Sequence, residues 1–269
     1  MSNLENFGKD RNPFTGVFGT GKVDYFWDNG TFTVPASITS VRVRCWGSGG
    51  YTNGRFGGGG GGGFAMKTIT GLTSGASISV TVPTSSSGTA SFGSYVSATG
   101  GQSVGGSASA GTGGTGVGGD INYTGGTGSP ASGNTAWYPG GGGSASLHGN
   151  GGNSSGNSTS PQYDNFYGGA GGGGNFINSS GYIGLHMPNP SLIYSDPITE
   201  KYSIADLDFI GTGTGCYRNT EAEDYSTGLF VNYNGVNGGG GSSSYKPGIP
   251  GGGGWTSSNQ GQGLIVVEY

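Results

Sequence analysis

The chain has 269 residues, of which 66 are glycine, 9% are charged and 31% are hydrophobic, and its formal charge is −4. Soluble domains average about 7% Gly and about 25% charged residues. With only 10 Lys plus Arg there is no basic stripe for phosphate backbones, which excludes nucleic acid as a partner class. No stretch approaches the roughly 18 apolar residues that a membrane span needs, so no membrane insertion is expected. Low apolar content would ordinarily mean disorder. Against that stand an aromatic content of 12% and glycines gathered into runs rather than scattered. Ordered structure is therefore expected.

Residues 1–22 read as a separate tail with Lys9, Asp10, Arg11 and Pro13 and no clean periodicity. Two readings fit it: a loose terminus, or a segment that orders on docking to another protein, since Phe7, Phe14 and Phe18 need somewhere to bury. From residue 23 the pattern changes to strands. Val23–Trp27 and Thr31–Val34 flank Asn29-Gly30, a dipeptide that predicts a type I′ hairpin. Ser40–Trp46 alternates strictly and places Val41, Val43 and Cys45 on one face. Phe64–Ile69 and Ala76–Val82 repeat that half-buried pattern, and Ser91–Val96 predicts one further strand. Gly263–Tyr269 reads as a strand buried on both faces, paired beside the early strands so that the two ends close one body around the middle.

Glycine accumulates in that middle, with runs at 57–63, 140–143, 171–174, 238–241 and 251–254. Such runs can be flexible linkers. They can also be left-handed polyproline-II-type helices with three residues per turn, whose N–H and C=O groups all point outward. One such helix has no partners, whereas several side by side satisfy one another, helped by close Cα–H···O contacts. Five runs between β-strands and a closing terminal strand favour the bundle. The expected fold is all-β: a sandwich-like body of N- and C-terminal strands carrying a polyglycine bundle with long connecting loops. The division is a docking segment over 1–22 and one glycine-rich β/polyglycine domain over 23–269. Within the latter, 175–237 is a loop insertion that holds seven of the fourteen carboxylates. Ser195-Asp196-Pro197 and Ser203–Asp206 in that insertion resemble starts of short helical turns.

Few residues point to chemistry. His148 and His186 are the two histidines, and no nucleophile elbow lies between a strand and a helix. Gly-x-Gly-x-x-Gly spacings arise by chance at this glycine content and have no βαβ unit around them. The carboxylates of 196–224 lack the alternating spacing of a calcium loop, and Cys45 and Cys216 are expected as reduced thiols. No enzyme activity, cofactor or metal is expected. What the sequence offers is recognition surface, because Tyr and Trp give rigid contact area while Ser, Gly and Asn give adaptable hydrogen bonds. Trp137, Tyr138, Tyr163, Phe166 and Tyr167 lie between glycine runs. Tyr182, His186, Tyr194, Tyr202, Tyr217 and Tyr225 lie in the insertion. These are the candidate receptor-binding residues, with Phe7, Phe14 and Phe18 as candidate docking residues.

The motifs Thr31-Phe-Thr-Val-Pro35, Val41-Arg-Val-Arg-Cys-Trp-Gly47, Gly63-Phe-Ala-Met-Lys-Thr-Ile69, Ser91–Gly101 and Pro247–Gly254 with Gly263–Tyr269 resemble the glycine-rich domain of many bacteriophage tail-fibre and tail-tip proteins. A looser similarity runs to T-even-type tip adhesins, and a fainter one to the glycine-rich ectodomain of some receptor tyrosine kinases. The resemblance covers 23–269, and the long insertion departs from its pattern. It implies host attachment by a receptor-binding protein at the fibre tip. The partners would be a bacterial surface glycan or outer-membrane protein and the fibre shaft protein. The implied location is the virion, reached by lysis, in keeping with the lack of an apolar signal core in Met1–Asp10. A purely structural virion component and a polysaccharide depolymerase are the alternatives.

Overall fold

The computed structural model describes residues 18–51, 57–105, 109–130, 140–154, 250–253 and 261–269, and the backbone of 166–167 and 217–218. Among the described residues there are twelve strands: β1 (Val23–Phe26), β2 (Gly30–Thr33), β3 (Ser40–Trp46), β4 (Phe64–Thr70), β5 (Ser77–Thr81), β6 (Ala90–Phe92), β7 (Val96–Ala98), β8 (Gly116–Val117), β9 (Ile121–Tyr123), β10 (Phe166–Tyr167), β11 (Tyr217–Arg218) and β12 (Leu264–Glu268). Ten of them form two antiparallel five-stranded sheets, ordered β1-β12-β3-β4-β9 and β2-β5-β6-β7-β8. The described residues are thus all-β, with β1 and the carboxy-terminal strand β12 paired in one sheet.

The alternation in β3 decides how the sheets face. Val41, Val43 and Cys45 are buried against Phe32, Ile78, Val80, Phe92 and Val96 of the second sheet, each large side chain contributing about 1.5–3 kcal/mol on burial. The terminal strand β12 lies between β1 and β3, with Val267 opposite Val43 and Val266 opposite Tyr25. All five of its residues are buried, as an apolar run without alternation requires. Ile265 and Val267 enter the core between the sheets, while Leu264 and Val266 join Trp46 and Phe64 on the outer face of the first sheet. Also on that outer face, Glu268 accepts hydrogen bonds from Arg42 Nε at 3.0 Å and Arg44 Nε at 2.8 Å.

Two sequence expectations are corrected here. The Asn29-Gly30 hairpin does not form: β1 pairs with β12 in one sheet and β2 with β5 in the other. A type I′ turn needs positive φ at both central residues, yet neither Asn29 nor Gly30 has it. Gly30 is already in β2, and the Asn29 side-chain oxygen instead accepts the Val82 N–H at 2.8 Å. Non-local partners for both strands outweigh the local turn signal. Likewise Ser91–Val96 is not one strand. Gly93, at φ +52°, breaks it into the β6–β7 hairpin.

Candidate functional site

The glycine segments continue the strands. The chain passes from β3 into 47–51, from β7 into 99–105 and from β9 into 124–130, while 57–63, 109–115 and 261–263 lead into β4, β8 and β12. At the centre stands 57–63, seven glycines, all buried. Its hydrogen bonds fall in steps of three. Gly60 and Gly63 donate to Gln102 and Thr99; Gly58 and Gly61 donate to Ser129 and Gly126. Gly58 and Gly61 accept from Gly111 and Gly114; Gly59 and Gly62 accept from Gly142 and Ala145; Gly60 and Gly63 accept from Gly50 and Gly47. Gly62 also donates to Gly251, and all eleven bonds measure 2.7–3.1 Å. A partner that returns every third residue is the signature of a three-residue turn. Six segments therefore surround one polyglycine helix, at 47–50, 99–102, 111–114, 126–129, 142–145 and near 251.

Glycine is required at the centre because each missing Cβ points at a neighbour's backbone. A Cβ on Gly58 or Gly61 would stand 1.9 Å from the carbonyl oxygen of Gly140 or Gly143, and one on Gly60 would stand 2.0 Å from that of Thr112. The outer segments need glycine only where they face the centre or a neighbouring segment, as Gly113 does against Gly125. In 109–115, Ser109, Thr112 and Thr115 are exposed while Gly111 and Gly114 are buried. Further out, Asn150 and Asn153, again three apart, accept the N–H groups of Thr124 and Thr127 with their side chains at 2.9 and 2.8 Å. This triplet spacing is the signal that a search for glycine runs misses, and it marks 99–105, 109–115, 124–130 and 150–154 as bundle members.

The register also gives the bundle a direction. The Gly63 end meets the sheets, and the Gly57 end is remote from them, at about 3.1 Å per residue. Tyr51, Gly57, Gly105, Ser109, Pro130, Gly140, Ser154, Gly253 and Gly261 all stand towards the remote end, by their pairing with Gly57–Gly60 or with segments that pair there. These are the described residues that flank 52–56, 106–108, 131–139 and 254–260 on both sides, together with Ser154 before 155–165. The described bundle residues include no Lys, Arg, Asp or Glu, whereas the connecting segments 52–56 and 155–165 carry Arg55 and Asp164.

Of the candidate residues, the structure brings three together. Phe166 and Tyr167 form β10, paired antiparallel with β11 so that Phe166 faces Arg218 and Tyr167 faces Tyr217. This ribbon pairs two residues that precede the insertion with two inside it. Trp137, Tyr138, Tyr163, Tyr182, His186, Tyr194, Tyr202 and Tyr225 lie outside the described residues, as do Phe7, Phe14, the acidic cluster of the insertion with its two helical-turn signals, and Cys216. Phe18 is packed on the body, its ring centroid 5.2 Å from the Arg42 guanidinium carbon. Cys45 is a free, fully buried thiol whose pKa is pushed far above the ordinary range by that burial. His148 is exposed in a turn, its N–H bonded to Ser146 Oγ at 3.1 Å.

In comparisons with known protein families and with curated proteins, the chain matches no family model and no curated protein.

Proposed function

We propose that the protein is a receptor-binding protein of a bacteriophage tail-fibre tip, a non-catalytic adhesin that attaches the virion to a bacterial surface glycan or outer-membrane protein. The observation that carries this reading is the two-ended build. The described residues that flank the connecting segments of the glycine bundle stand at the end remote from the sheets, while Phe18 and the start of β1 lie at the opposite end of the first sheet. A protein that hangs from a shaft and grips a cell needs these two functions at opposite poles. With a strand of seven residues followed by a glycine helix of seven, the poles stand roughly 45 Å apart.

The remote pole rests on a backbone-bonded scaffold, so its connections can vary in length and sequence without disturbing the core. The uncharged bundle beneath it suits a hydroxyl-rich ligand, bound by stacking on Tyr and Trp and by hydrogen bonds from Ser and Asn. In this reading Tyr163, Phe166, Tyr167 and Tyr217 act at or beside the ribbon. Trp137 and Tyr138 act from the 131–139 connection, and Phe7, Phe14 and Phe18 serve the shaft end.

The test uses fluorescently labelled protein on a panel of Gram-negative and Gram-positive cells. Its companion is a variant in which 168–216 is replaced by Asn-Gly, a two-residue turn that keeps Tyr167 opposite Tyr217. Binding to a narrow set of strains, lost in a variant that retains the wild-type melting profile, supports the adhesin. Uniform absence of binding across a panel that includes the phage's own host favours a structural virion component.

A further inference from the structure

The two edges of the second sheet are built differently. At the β8 edge the chain is folded against the first sheet, so that a Cβ on Gly116 would stand 2.0 Å from the Phe64 carbonyl oxygen of β4. At the β2 edge Gly30, Thr31 and Thr33 are exposed, and Phe32 between them points into the core.

The direction of the β2 peptide groups follows from its one neighbour. Val34 N–H donates to the Ala76 carbonyl, and the Val34 carbonyl accepts the Gly75 N–H, both at 2.9 Å. Bonding direction alternates along a strand, so Phe32 and Gly30 also turn towards β5, opposite Ile78 and Val80. β5 has the matching parity. Its Ser79 carbonyl accepts the Gly93 N–H at 2.8 Å on the far side, which leaves Ile78 and Val80 to face β2. The N–H and C=O groups of Thr31 and Thr33 therefore point out of the sheet, and no described residue bonds them. Alternating free donors and acceptors on an exposed edge are a template for one more strand.

We propose that β2 pairs antiparallel with β2 of a second copy, about a twofold axis through Phe32, so that the two second sheets become continuous. The stretch is self-complementary in this register. Thr31 of each copy faces Thr33 of the other, and each pair exchanges two backbone bonds, about four in all. Threonine opposite threonine is a favourable cross-strand pair. Neighbouring registers are poorer. A slip towards Asn29 runs into the bend before β2. A slip the other way meets Pro35, which has no N–H and whose carbonyl already accepts the Ile38 N–H at 3.2 Å. Asp28 is the only charged residue in 28–36, and the twofold places its two copies at opposite ends of the seam. Beside the seam the outer face exposes Thr31, Thr33, Ser77, Ser79 and Thr81, so hydroxyls meet hydroxyls without like charges. The contact is small and belongs to the weak class. It is independent of what either pole of the molecule binds.

Sedimentation velocity on the full chain, from about 1 µM to about 1 mM, tests it. A monomer should pass into a dimer that is half-formed at roughly 0.1 mM, with no growth beyond it. Thr31→Lys with Thr33→Lys sets ammonium opposite ammonium at both pairs and should weaken association at least about tenfold. Thr31→Glu with Thr33→Glu should do the same, and an equimolar mixture of the two variants should regain the dimer. Both positions are exposed, so melting profiles should match the wild type. Should the paired variants melt earlier, Thr33→Pro replaces them, since it deletes only an outward N–H on an edge strand. A monomer throughout the concentration range would overturn the proposal. So would a dimer that these substitutions leave intact, a mixture that fails to regain it, or assembly that continues past two copies.

Discussion

Adding one methyl group to the middle of the central glycine helix should cost a large part of the protein's stability. In Gly61→Ala the new Cβ stands 1.9 Å from the Gly143 carbonyl oxygen, where contacts under 3.0 Å are essentially never found. That oxygen must withdraw by at least about 1 Å. It is backbone in a segment held by Gly142 N–H to Gly59 and Ala145 N–H to Gly62, both 2.9 Å, and it accepts the Gly126 N–H at 2.7 Å. Three buried hydrogen bonds are strained together, and each buried group left unsatisfied costs about 1–3 kcal/mol. A loss of about 4 kcal/mol follows, against a total stability of about 5–15 kcal/mol for a native domain. In a chain of this size it lowers Tm by roughly 8–15 °C. The control is Gly105→Ala: nothing lies within 4 Å of its Cβ and its φ is not positive. There the change should stay within about 0.5 kcal/mol or stabilise slightly through the unfolded chain. Differential scanning calorimetry on both variants checks the pair, and equal melting temperatures would refute the argument that backbone contact dictates glycine here.

Trp46 is fully buried, and its indole N–H finds no acceptor. Trp46→Phe should therefore stay within about 1 kcal/mol of wild type in urea denaturation, because it removes a stranded donor, whereas Trp46→Ala should lose about 3–5 kcal/mol through the cavity. Glu268 lies between two guanidiniums, and the side chains of Arg44 and Glu268 are 2% and 3% exposed against 23% for Arg42. Glu268→Gln should accordingly cost about 3–5 kcal/mol, and Arg42→Met no more than about 1 kcal/mol, by the same denaturation assay. Burial raises the Cys45 thiol above its ordinary 9.0. Burial, then the charge of Asp24 and donation to its carboxylate, raise the Tyr269 phenol above 10.0. Folded forms that hold their protons more tightly than unfolded ones lose stability as pH rises through the unfolded values. Denaturation midpoints should thus fall above pH about 9, and Cys45→Ala should remove the first part of that fall. In native protein Cys45 should resist thiol reagents and react only after unfolding, as peptide mapping would show.

Much of the body could be read from the chain because its signals are local and agree with one another. Strict alternation in Val41–Cys45 gives a half-buried strand, and the unbroken run Leu264–Val267 has nowhere to go but a sheet interior. The errors arose where a local signal met a non-local partner. Asn29-Gly30 is a good turn dipeptide, but β1 and β2 are claimed by β12 and β5, more than two hundred and more than forty residues away in the chain. The central run 57–63 announced itself by composition, while its neighbours did not. An outer helix needs glycine only where it faces another segment, so Thr99, Gln102, Ser109 and Thr112 disguise it as polar loop. Of the candidate site, the ribbon could not be read at all. Phe166-Tyr167 and Tyr217-Arg218 are two-residue strands fifty residues apart, too short for any periodicity to mark.

The polyglycine bundle also has a calorimetric consequence. Positive heat capacity of unfolding comes from apolar surface that meets water, and exposed polar surface subtracts from it. A core made of peptide groups, with almost no side chains inside, releases mainly polar surface when it opens. Per residue, this protein should show a heat-capacity increment well under the usual 12–15 cal/mol/K, and hence a broad, shallow stability curve. The sandwich would lose its hydrophobic grip on cooling as other proteins do, while the bundle keeps its hydrogen bonds. A protein built this way holds its shape over a wide span of temperatures, in the cold as well as in the warm.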